Sequence, residues 1–412
     1  MGIKKSIAIL VSGSMIAQAL TLIASPFLTR LYTPSEIGLY TLILNAETIF
    51  GAIVCARYEV AIVTEKKNER VYGLIKLSII SNLILSTLFG LVYGLYYFII
   101  RDDYTQYYYL TIFLVVFLMF NGLHRLLEAY NNRNQEYTLI SQVYVTRNLF
   151  QNSLSVIFGL LSFGSLGLFV SHFSGLVAGV KKQSESVWKK KEEIVNYPLA
   201  DTLSLARQYI KLPFFSAPAI FANRFSYASL LIFIEILYGL KTLGFYSIAN
   251  KVLGLPLSVL SNNISKVFFK EASKEFAAHG HFKKTLAKIT LLVVVLAIPM
   301  VALLMVVAPK LFAFIFGSEW GVAGEYVMVL APMFGIRLVV NSIAYGLQVV
   351  NKQQWELILQ GLFIIASIVC FSFSYILNLD VLVFLSMISI SFSVLYIFYY
   401  LTVFKSALGK ER

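Results

Sequence analysis

The sequence predicts an all-α integral membrane protein with about twelve transmembrane helices in two pseudo-symmetric six-helix bundles, both termini being cytoplasmic. Three observations predict this fold class: an apolar composition, a series of long apolar runs, and a segment that recurs half a chain later. The 412 residues are 58% hydrophobic and 13% charged, whereas soluble domains average about 45–50% and about 25%. A soluble core cannot bury so much apolar surface, so we expect lipid to be the solvent.

The apolar runs are long enough to be membrane helices, since a spanning helix needs about 20 mostly apolar residues. The first run follows Lys4 and Lys5 as a signal peptide would, but no small-residue cleavage site follows it. We therefore expect it to be retained as the first helix. A Gly/Ser-rich turn at 162–167 divides the fifth run from the sixth. The runs cover 7–28, 37–56, 73–99, 108–128, 138–159, 162–180, 213–236, 242–262, 289–308, 323–349, 355–377 and 380–404.

The positive charges are unevenly distributed between the loops. A net charge of +13 would favour nucleic-acid binding in a soluble protein. With both termini inside, 25 of the 34 Lys and Arg residues fall on cytoplasmic segments and only four in outer loops. This is the pattern of the positive-inside rule. Since both termini lie on the same side, the number of helices must be even. The positive charge is then explained by the cytoplasmic loops, and we expect no nucleic-acid partner.

A twelve-residue segment occurs twice. Leu31–Leu42 matches Leu237–Ile248 without a gap, at an offset of 206 residues, which is half of 412. Internal duplication is typical of membrane transporters. Four of the pairs are identical, namely Leu31/Leu237, Tyr32/Tyr238, Gly38/Gly244 and Tyr40/Tyr246.

The duplication divides the chain into an N-terminal six-helix bundle at 1–180, a basic cytoplasmic linker at 181–212 and a C-terminal six-helix bundle at 213–412. Within the linker, 199–212 is expected to form an amphipathic helix on the inner leaflet. The sequence has no phosphate loop, metal motif or catalytic triad spacing, and Cys55 and Cys370 both lie in apolar runs. We therefore expect no cofactor, no metal and no enzymatic site.

Cationic side chains inside the bilayer are the strongest candidates for a site. Each Arg or Lys at mid-depth costs about 2.5–3.5 kcal/mol, so these residues should face a water-filled lumen. The predicted substrate-binding cations are Arg147, Arg224, Lys251 and Arg337. Polar residues on the same helix faces, or at equivalent repeat positions, are predicted to support the lumen: Gln18, Asn45, Gln151, Asn341 and Tyr345. For Ser and Thr in these stripes, hydrogen bonding between helices is the favoured alternative.

Acidic residues are few inside the predicted helices. Glu47 is clearly intramembrane, whereas Glu235 is placed near a helix end. His172 is expected to be a hydrogen-bonded packing residue more than a proton carrier. Because cations outnumber acids, the lumen suits an anionic substrate such as a phosphate or pyrophosphate. At the cytoplasmic mouth, Arg57 and Glu59 predict an ion pair or a gate, with a helix-end cap as an equal alternative.

Two stretches resemble a known family. Residues 29–40 (TRLYTPSEIGLY) and 57–62 (RYEVAI) are similar to the N-terminal signature of bacterial polysaccharide repeat-unit flippases of the O-antigen and capsule type. These belong to the polysaccharide transporter family of the MATE-like MOP exporter superfamily. Residues 243–249 (LGFYSIA) resemble the second-half counterpart.

The resemblance implies a flippase that moves undecaprenyl-pyrophosphate-linked oligosaccharide to the outer leaflet of the cytoplasmic membrane, through a cavity that opens alternately to each side. The implied partners are membrane lipid, a polysaccharide polymerase, chain-length proteins and a coupling ion, either sodium or a proton. A cationic lumen is a trait of the family, but no motif match assigns that role to individual residues of this chain.

Three alternatives remain at this stage. A multidrug antiporter of the same superfamily would need a cavity lined by carboxylates, and Glu47 is the one clearly intramembrane acid in this sequence. A peptidoglycan-precursor flippase would carry helices beyond twelve. A membrane-embedded glycosyltransferase or polymerase would need larger outer loops than this chain has, which favours transport over catalysis.

Overall fold

The computed structural model describes residues 3–100, 108–350, 352 and 354–409. Their regular structure is helical throughout. The helices are α1 (Ile3–Leu31), α2 (Pro34–Phe50), α3 (Tyr58–Thr64), α4 (Asn68–Ile100), α5 (Tyr109–Arg133), α6 (Tyr137–Leu160), α7 (Gly164–Val177), α8 (Val180–Trp188), α9 (Lys191–Val195), α10 (Leu199–Gln208), a π-helical turn (Leu212–Ser216), α11 (Ala217–His279), α12 (Lys283–Phe316), a 3-10 turn (Ser318–Trp320), α13 (Gly321–Ile343), α14 (Gly346–Val349), α15 (Gln354–Leu377) and α16 (Val381–Ala407).

Each of the twelve predicted apolar runs overlaps one of these helices or one half of α11, although the second run extends beyond the end of α2 at Phe50 and the tenth covers both α13 and α14. Among the described residues, eight segments are long and apolar enough to cross a membrane. The predicted helical membrane architecture is therefore confirmed. The count of twelve spans and the cytoplasmic termini stay predictions. Three of the cations used to orient the chain, Arg101, Lys410 and Arg412, lie outside the described residues.

The chain folds into two compact units. The first contains Met1–Tyr32 and Leu39–Ala228, and the second contains Thr33–Gly38 and Ser229–Arg412. In the first unit α1 packs on α6, α6 on α7 and α4 on α5, whereas in the second α12 packs on α13 and α16 on both α13 and α15. Large apolar side chains fill both cores: Phe117 and Phe169 in the first, and Phe312, Trp320 and Phe384 in the second.

The helix break inside the repeated segment falls at the same position in both copies. Between α1 and α2, the backbone N–H and hydroxyl of Thr33 donate to Glu36 at 2.8 and 2.9 Å, and the Glu36 N–H donates back at 3.3 Å. This capping box, with Pro34 as the first helical residue, starts α2. In the second copy Gly239, 206 positions after Thr33, interrupts α11 with φ 76° and ψ −177°. A left-handed glycine there replaces the capping box.

The segment 181–212 belongs to the first unit and packs against its other helices. Ile194 and Leu205 are buried in an apolar cluster with Leu74 of α4. The Lys76 ammonium donates to the carbonyl oxygens of Val195 and Tyr197, both at 2.7 Å. The predicted amphipathic helix appears as α10, with Leu205 on its buried side. Its exposed side carries Leu199 and Leu203, and the contact of that side with lipid stays a prediction.

Candidate functional site

Arg147 lines a polar cavity of about 250 Å³ within the first unit. It lies on α6, and α5 contributes His124 and Glu128 to the same cavity. The rest of the lining is Ser14, Ile140, Ser141, Val143, Tyr144 and Gln183. Both ring nitrogens of His124 are already hydrogen-bonded, to the Gln183 side-chain oxygen at 2.8 Å and to the Leu176 carbonyl oxygen at 2.6 Å. The Arg147 guanidinium and the hydroxyl groups of the lining are therefore the groups that can hold a small anionic group.

Arg147 keeps its hydrogen-bonding capacity in this cavity. Its guanidinium makes no hydrogen bond or ion pair with another described residue. A guanidinium has five N–H donors in a planar fork that matches phosphate oxygens. Glu128 shares the cavity, so the site contains one acid that the sequence reasoning did not count.

Much of the remaining polar stripe on α6 connects helices to one another. Thr21 of α1 donates to Asn148 at 3.4 Å, and Asn152 donates to Thr21 at 3.3 Å. Gln151 donates to the Tyr40 hydroxyl at 2.9 Å. For Thr21 the structure therefore supports the alternative of hydrogen bonding between helices.

The supporting residues of α1 and α2 also lie in the first unit. Asn45 is buried and its amide donates to the carbonyl oxygen of Ala228 at 3.1 Å. Gln18 is half-buried. A lumen role for either side chain stays a prediction.

The other three predicted cations differ in their surroundings. Arg224 is exposed on the part of α11 that belongs to the first unit. Lys251 is half-buried in the second unit and makes no hydrogen bond or ion pair within the described part of the chain. Arg337 lies over the ring of Phe334, 5.4 Å from its centroid. A single lumen that contains these cations and Arg147 stays a prediction.

Asn341 and Tyr345, the supporting residues of the second unit, follow Arg337 at four-residue spacing. Asn341 is half-buried on α13, and Tyr345 is 39% exposed just after that helix. The Tyr345 ring lies 5.6 Å from that of Phe269.

Arg57 and Glu59 form an ion pair at 3.2 Å. Ala56 and Arg57 have φ values of 50° and 67°, so the chain turns through the left-handed region just before α3 begins. Glu59 is buried, whereas the Arg57 side chain is 20% exposed. A gating role for this pair stays a prediction.

A buried network around Glu47 is the main feature that sequence reasoning missed. His172 Nε2 lies 2.8 Å from Glu47 Oε2, and the Asn121 amide donates to Glu47 Oε1 at 3.1 Å. The Tyr40 hydroxyl lies 3.3 Å from His172 Nδ1. The two ionisable residues are 125 positions apart in the sequence. The sequence contained one sign of this network, namely that Glu47 and His172 both lie in apolar runs of the N-terminal half of the chain.

Glu235 corrects another sequence-based expectation. We placed it near a helix end, where it could reach water. The structure places it four residues before the break at Gly239, so the position near a helix end is as expected, but the side chain is 1% exposed and does not reach water. The second unit therefore also contains a buried acid.

Comparison with known families identifies the chain. The profile of a family described as polysaccharide biosynthesis protein matches residues 27–325. No curated protein matches the sequence.

Solved structures share the fold at low sequence identity. An inward-closed lipid II flippase MurJ matches with a TM-score of 0.71 and 14% identity, covering 97% of this chain and 91% of that one. An inward-facing multidrug resistance MATE transporter of the MOP superfamily matches with a TM-score of 0.68 and 13% identity, covering 94% and 93%. A MOP superfamily transporter from Pyrococcus furiosus with a binding pocket of reversed polarity matches with a TM-score of 0.59 and 14% identity, covering 97% and 95%. The predicted MATE-like fold is confirmed, and the chain belongs to the family of polysaccharide biosynthesis proteins.

Proposed function

We propose that this protein is a flippase of the bacterial cytoplasmic membrane. It moves undecaprenyl-pyrophosphate-linked oligosaccharide repeat units from the cytoplasmic to the outer leaflet. The units serve the biosynthesis of a surface polysaccharide, either O-antigen or capsule. Transport proceeds by alternating access, without enzymatic catalysis.

The main support for this proposal is that one chain has both the family match over residues 27–325 and the fold of a transporter. A polysaccharide pathway that builds its repeat units on a lipid inside the cell must bring them across the membrane. This chain belongs to a polysaccharide biosynthesis family, and it shares its fold with a lipid II flippase and a multidrug transporter. It therefore suits this step.

The Arg147 cavity supports an anionic head group as the recognised part of the substrate. A pyrophosphate offers several oxygens to the guanidinium, and the hydroxyl groups of the lining suit sugars. The polyprenyl tail stays in the bilayer. Arg224, Lys251 and Arg337 supply further positive charge along the path. In the outer leaflet, a polymerase and chain-length proteins receive the repeat unit.

A multidrug antiporter is the second candidate, because a multidrug transporter shares the fold with a TM-score of 0.68. It requires acids to bind cationic drugs, and the structure contains the buried Glu47 and Glu235, as well as Glu128 in the Arg147 cavity. The Arg147 guanidinium, which makes no hydrogen bond or ion pair with another described residue, favours an anionic substrate and therefore the flippase.

Deletion of the gene distinguishes these functions. A flippase predicts loss of the surface polysaccharide and accumulation of single lipid-linked repeat units inside the cell, both reversed by the intact gene on a plasmid. Polymer at normal levels in a strain with no related transporter would contradict the proposal. Increased drug sensitivity with normal polymer would support the antiporter.

A further inference from the structure

Glu128 and Arg147 line the same cavity of the first unit without pairing with each other. Glu128 lies on α5 and Arg147 on α6, around a space of about 250 Å³. The Glu128 carboxylate interacts electrostatically with Arg125 and Arg147, yet it makes no hydrogen bond or ion pair with another described residue. The two opposite charges therefore leave space between them, and a ligand that fills this space must complement both.

Two neighbours on the same face of α5 hold Glu128 at the cavity. His124 lies four residues before it and Asn131 three residues after it, so the three side chains share one side of the helix. His124 Nδ1 lies 2.8 Å from the side-chain oxygen of Gln183, and the Asn131 amide donates to the backbone oxygen of Gln183 at 3.0 Å. Both bonds join α5 to α8. The backbone that carries Glu128 is therefore fixed, while its carboxylate remains available to a ligand.

The cavity is large enough for only one part of a lipid-linked oligosaccharide. Pockets that enclose a whole drug-sized ligand measure about 300–1,000 Å³, whereas this one measures about 250 Å³. It suits a phosphate group together with the nearest part of the sugar attached to it. The Arg147 guanidinium has N–H donors in a planar fork that matches phosphate oxygens. The ionised Glu128 carboxylate only accepts, so it suits the hydroxyl hydrogens of a sugar.

The charge of Glu128 also determines which sugars the cavity excludes. A uronic acid would bring a second carboxylate into the space beside Glu128, and like charges placed together in a binding site disfavour the wrong partner. Arg147 is the one Arg or Lys among the described lining residues. Once its guanidinium binds the phosphate, it no longer offsets another anion. A neutral sugar or an amino sugar meets no such repulsion.

We propose that Glu128 determines the substrate specificity of the flippase at the sugar attached to the pyrophosphate. With the phosphate bound to Arg147, the Glu128 carboxylate accepts hydrogen bonds from the hydroxyl groups of that sugar and excludes a uronic acid from the same position. This inference rests on the proposed function. It names the substrate class, namely repeat units whose first sugar is neutral or carries an amino group.

Two probes that differ at a single carbon test the proposal. Both are short-chain polyprenyl diphosphates, one linked to glucose and the other to glucuronic acid, so that a CH₂OH group is replaced by a carboxylate. Full-length wild-type protein in detergent should bind the glucose probe about tenfold more tightly than the glucuronate probe. E128Q keeps a hydrogen-bond acceptor but loses the charge, so its affinities for the two probes should be equal.

Three further variants control this measurement. E128D keeps the negative charge and should retain the preference for the glucose probe. E185Q should resemble the wild type, because Glu185 of α8 is an exposed acid that pairs with Lys189 at 3.4 Å and lies outside the cavity lining. R147A should weaken the binding of both probes. The Glu128 side chain is exposed, so E128Q should keep the melting temperature of the wild type.

The outcomes separate this inference from the proposed function. If the wild-type protein binds the two probes equally, or prefers the glucuronate probe, the role of Glu128 is overturned while the flippase proposal stands. A preference for glucose that persists unchanged in E128Q also overturns it. If neither probe binds to the wild-type protein, the anionic lipid substrate is wrong, and the role of Glu128 falls together with the proposed function.

Discussion

Gly38 and Gly244, which occupy equivalent positions of the duplicated segment, pack reciprocally within the second unit. A β-carbon on Gly38 would stand 1.9 Å from the carbonyl oxygen of Leu240, and one on Gly244 would stand 1.9 Å from the carbonyl oxygen of Pro34. Leu240 and Pro34 are themselves 206 positions apart. The repeated segments therefore contact each other with the symmetry that the sequence match indicates.

Substituting Ala at either glycine should destabilise the protein. The obstructing atoms are backbone oxygens that cannot rotate away, so G38A and G244A should each cost about 1–3 kcal/mol. Thermal unfolding of the detergent-solubilised protein measures this. G361A is the matched control, because a β-carbon at Gly361 of α15 meets nothing within 4 Å. Equal melting temperatures for G38A and G361A would contradict the reciprocal packing.

Removing any of the four predicted cations should weaken export. A charge-assisted hydrogen bond to the substrate is worth about 1.5–3 kcal/mol, so its removal should reduce affinity roughly tenfold to hundredfold. R147A, R224A, K251A and R337A should each reduce surface polysaccharide while the protein level in the membrane is unchanged. K241A is the control, because Lys241 forms an exposed ion pair with Glu319 at 2.9 Å, a kind that contributes little. Normal export in all four variants would refute the cationic site.

The Tyr209 hydroxyl should hold the linker against the segment between α3 and α4. It donates to Glu65 at 2.9 Å, and a hydrogen bond to a charged group is worth about 1.5 kcal/mol. Y209F should therefore increase local opening of α10 about tenfold, measured by hydrogen exchange of residues 199–208. In Y197F exchange should be unchanged, because the Tyr197 hydroxyl makes no hydrogen bond with the described residues. Identical exchange in the two variants would contradict this role.

The docking of the linker should also depend on pH. Burial raises the pKa of Glu65, but the backbone N–H of Lys67, the Tyr209 hydroxyl, Arg70 and the backbone N–H of Lys66 together outweigh burial and lower it. A lowered pKa means that the stabilisation is complete above the unfolded value of about 4.3 and is lost as the pH falls through the folded value. Exchange in α10 should therefore increase in acid, relative to E65Q at the same pH. A constant ratio between the two proteins would contradict this role for Glu65.

Helix positions and the internal repeat could be predicted from the sequence because they depend on local patterns. The apolar runs end where Thr33 and Gly239 interrupt the helices, and the offset of 206 residues relates these two breaks. The Glu47–His172 pair could not be predicted in this way. Periodicity places each residue on a face of its own helix, whereas the packing of α2 against α7 decides that the two faces meet. The same holds for Glu128 and Arg147, which share a cavity only after α5 and α6 have packed.

The most direct test of the proposed function is the leaflet distribution of the substrate. Lipid-linked repeat units extracted from the deletion strain are reconstituted into liposomes with the purified protein, and an impermeant periodate reagent oxidises only the sugars exposed outside. Liposomes with the wild-type protein should make nearly all repeat units accessible, whereas liposomes with R147A should resemble protein-free liposomes over the same time. Equal accessibility with and without the protein would contradict the conclusion that this chain moves lipid-linked oligosaccharides across the membrane.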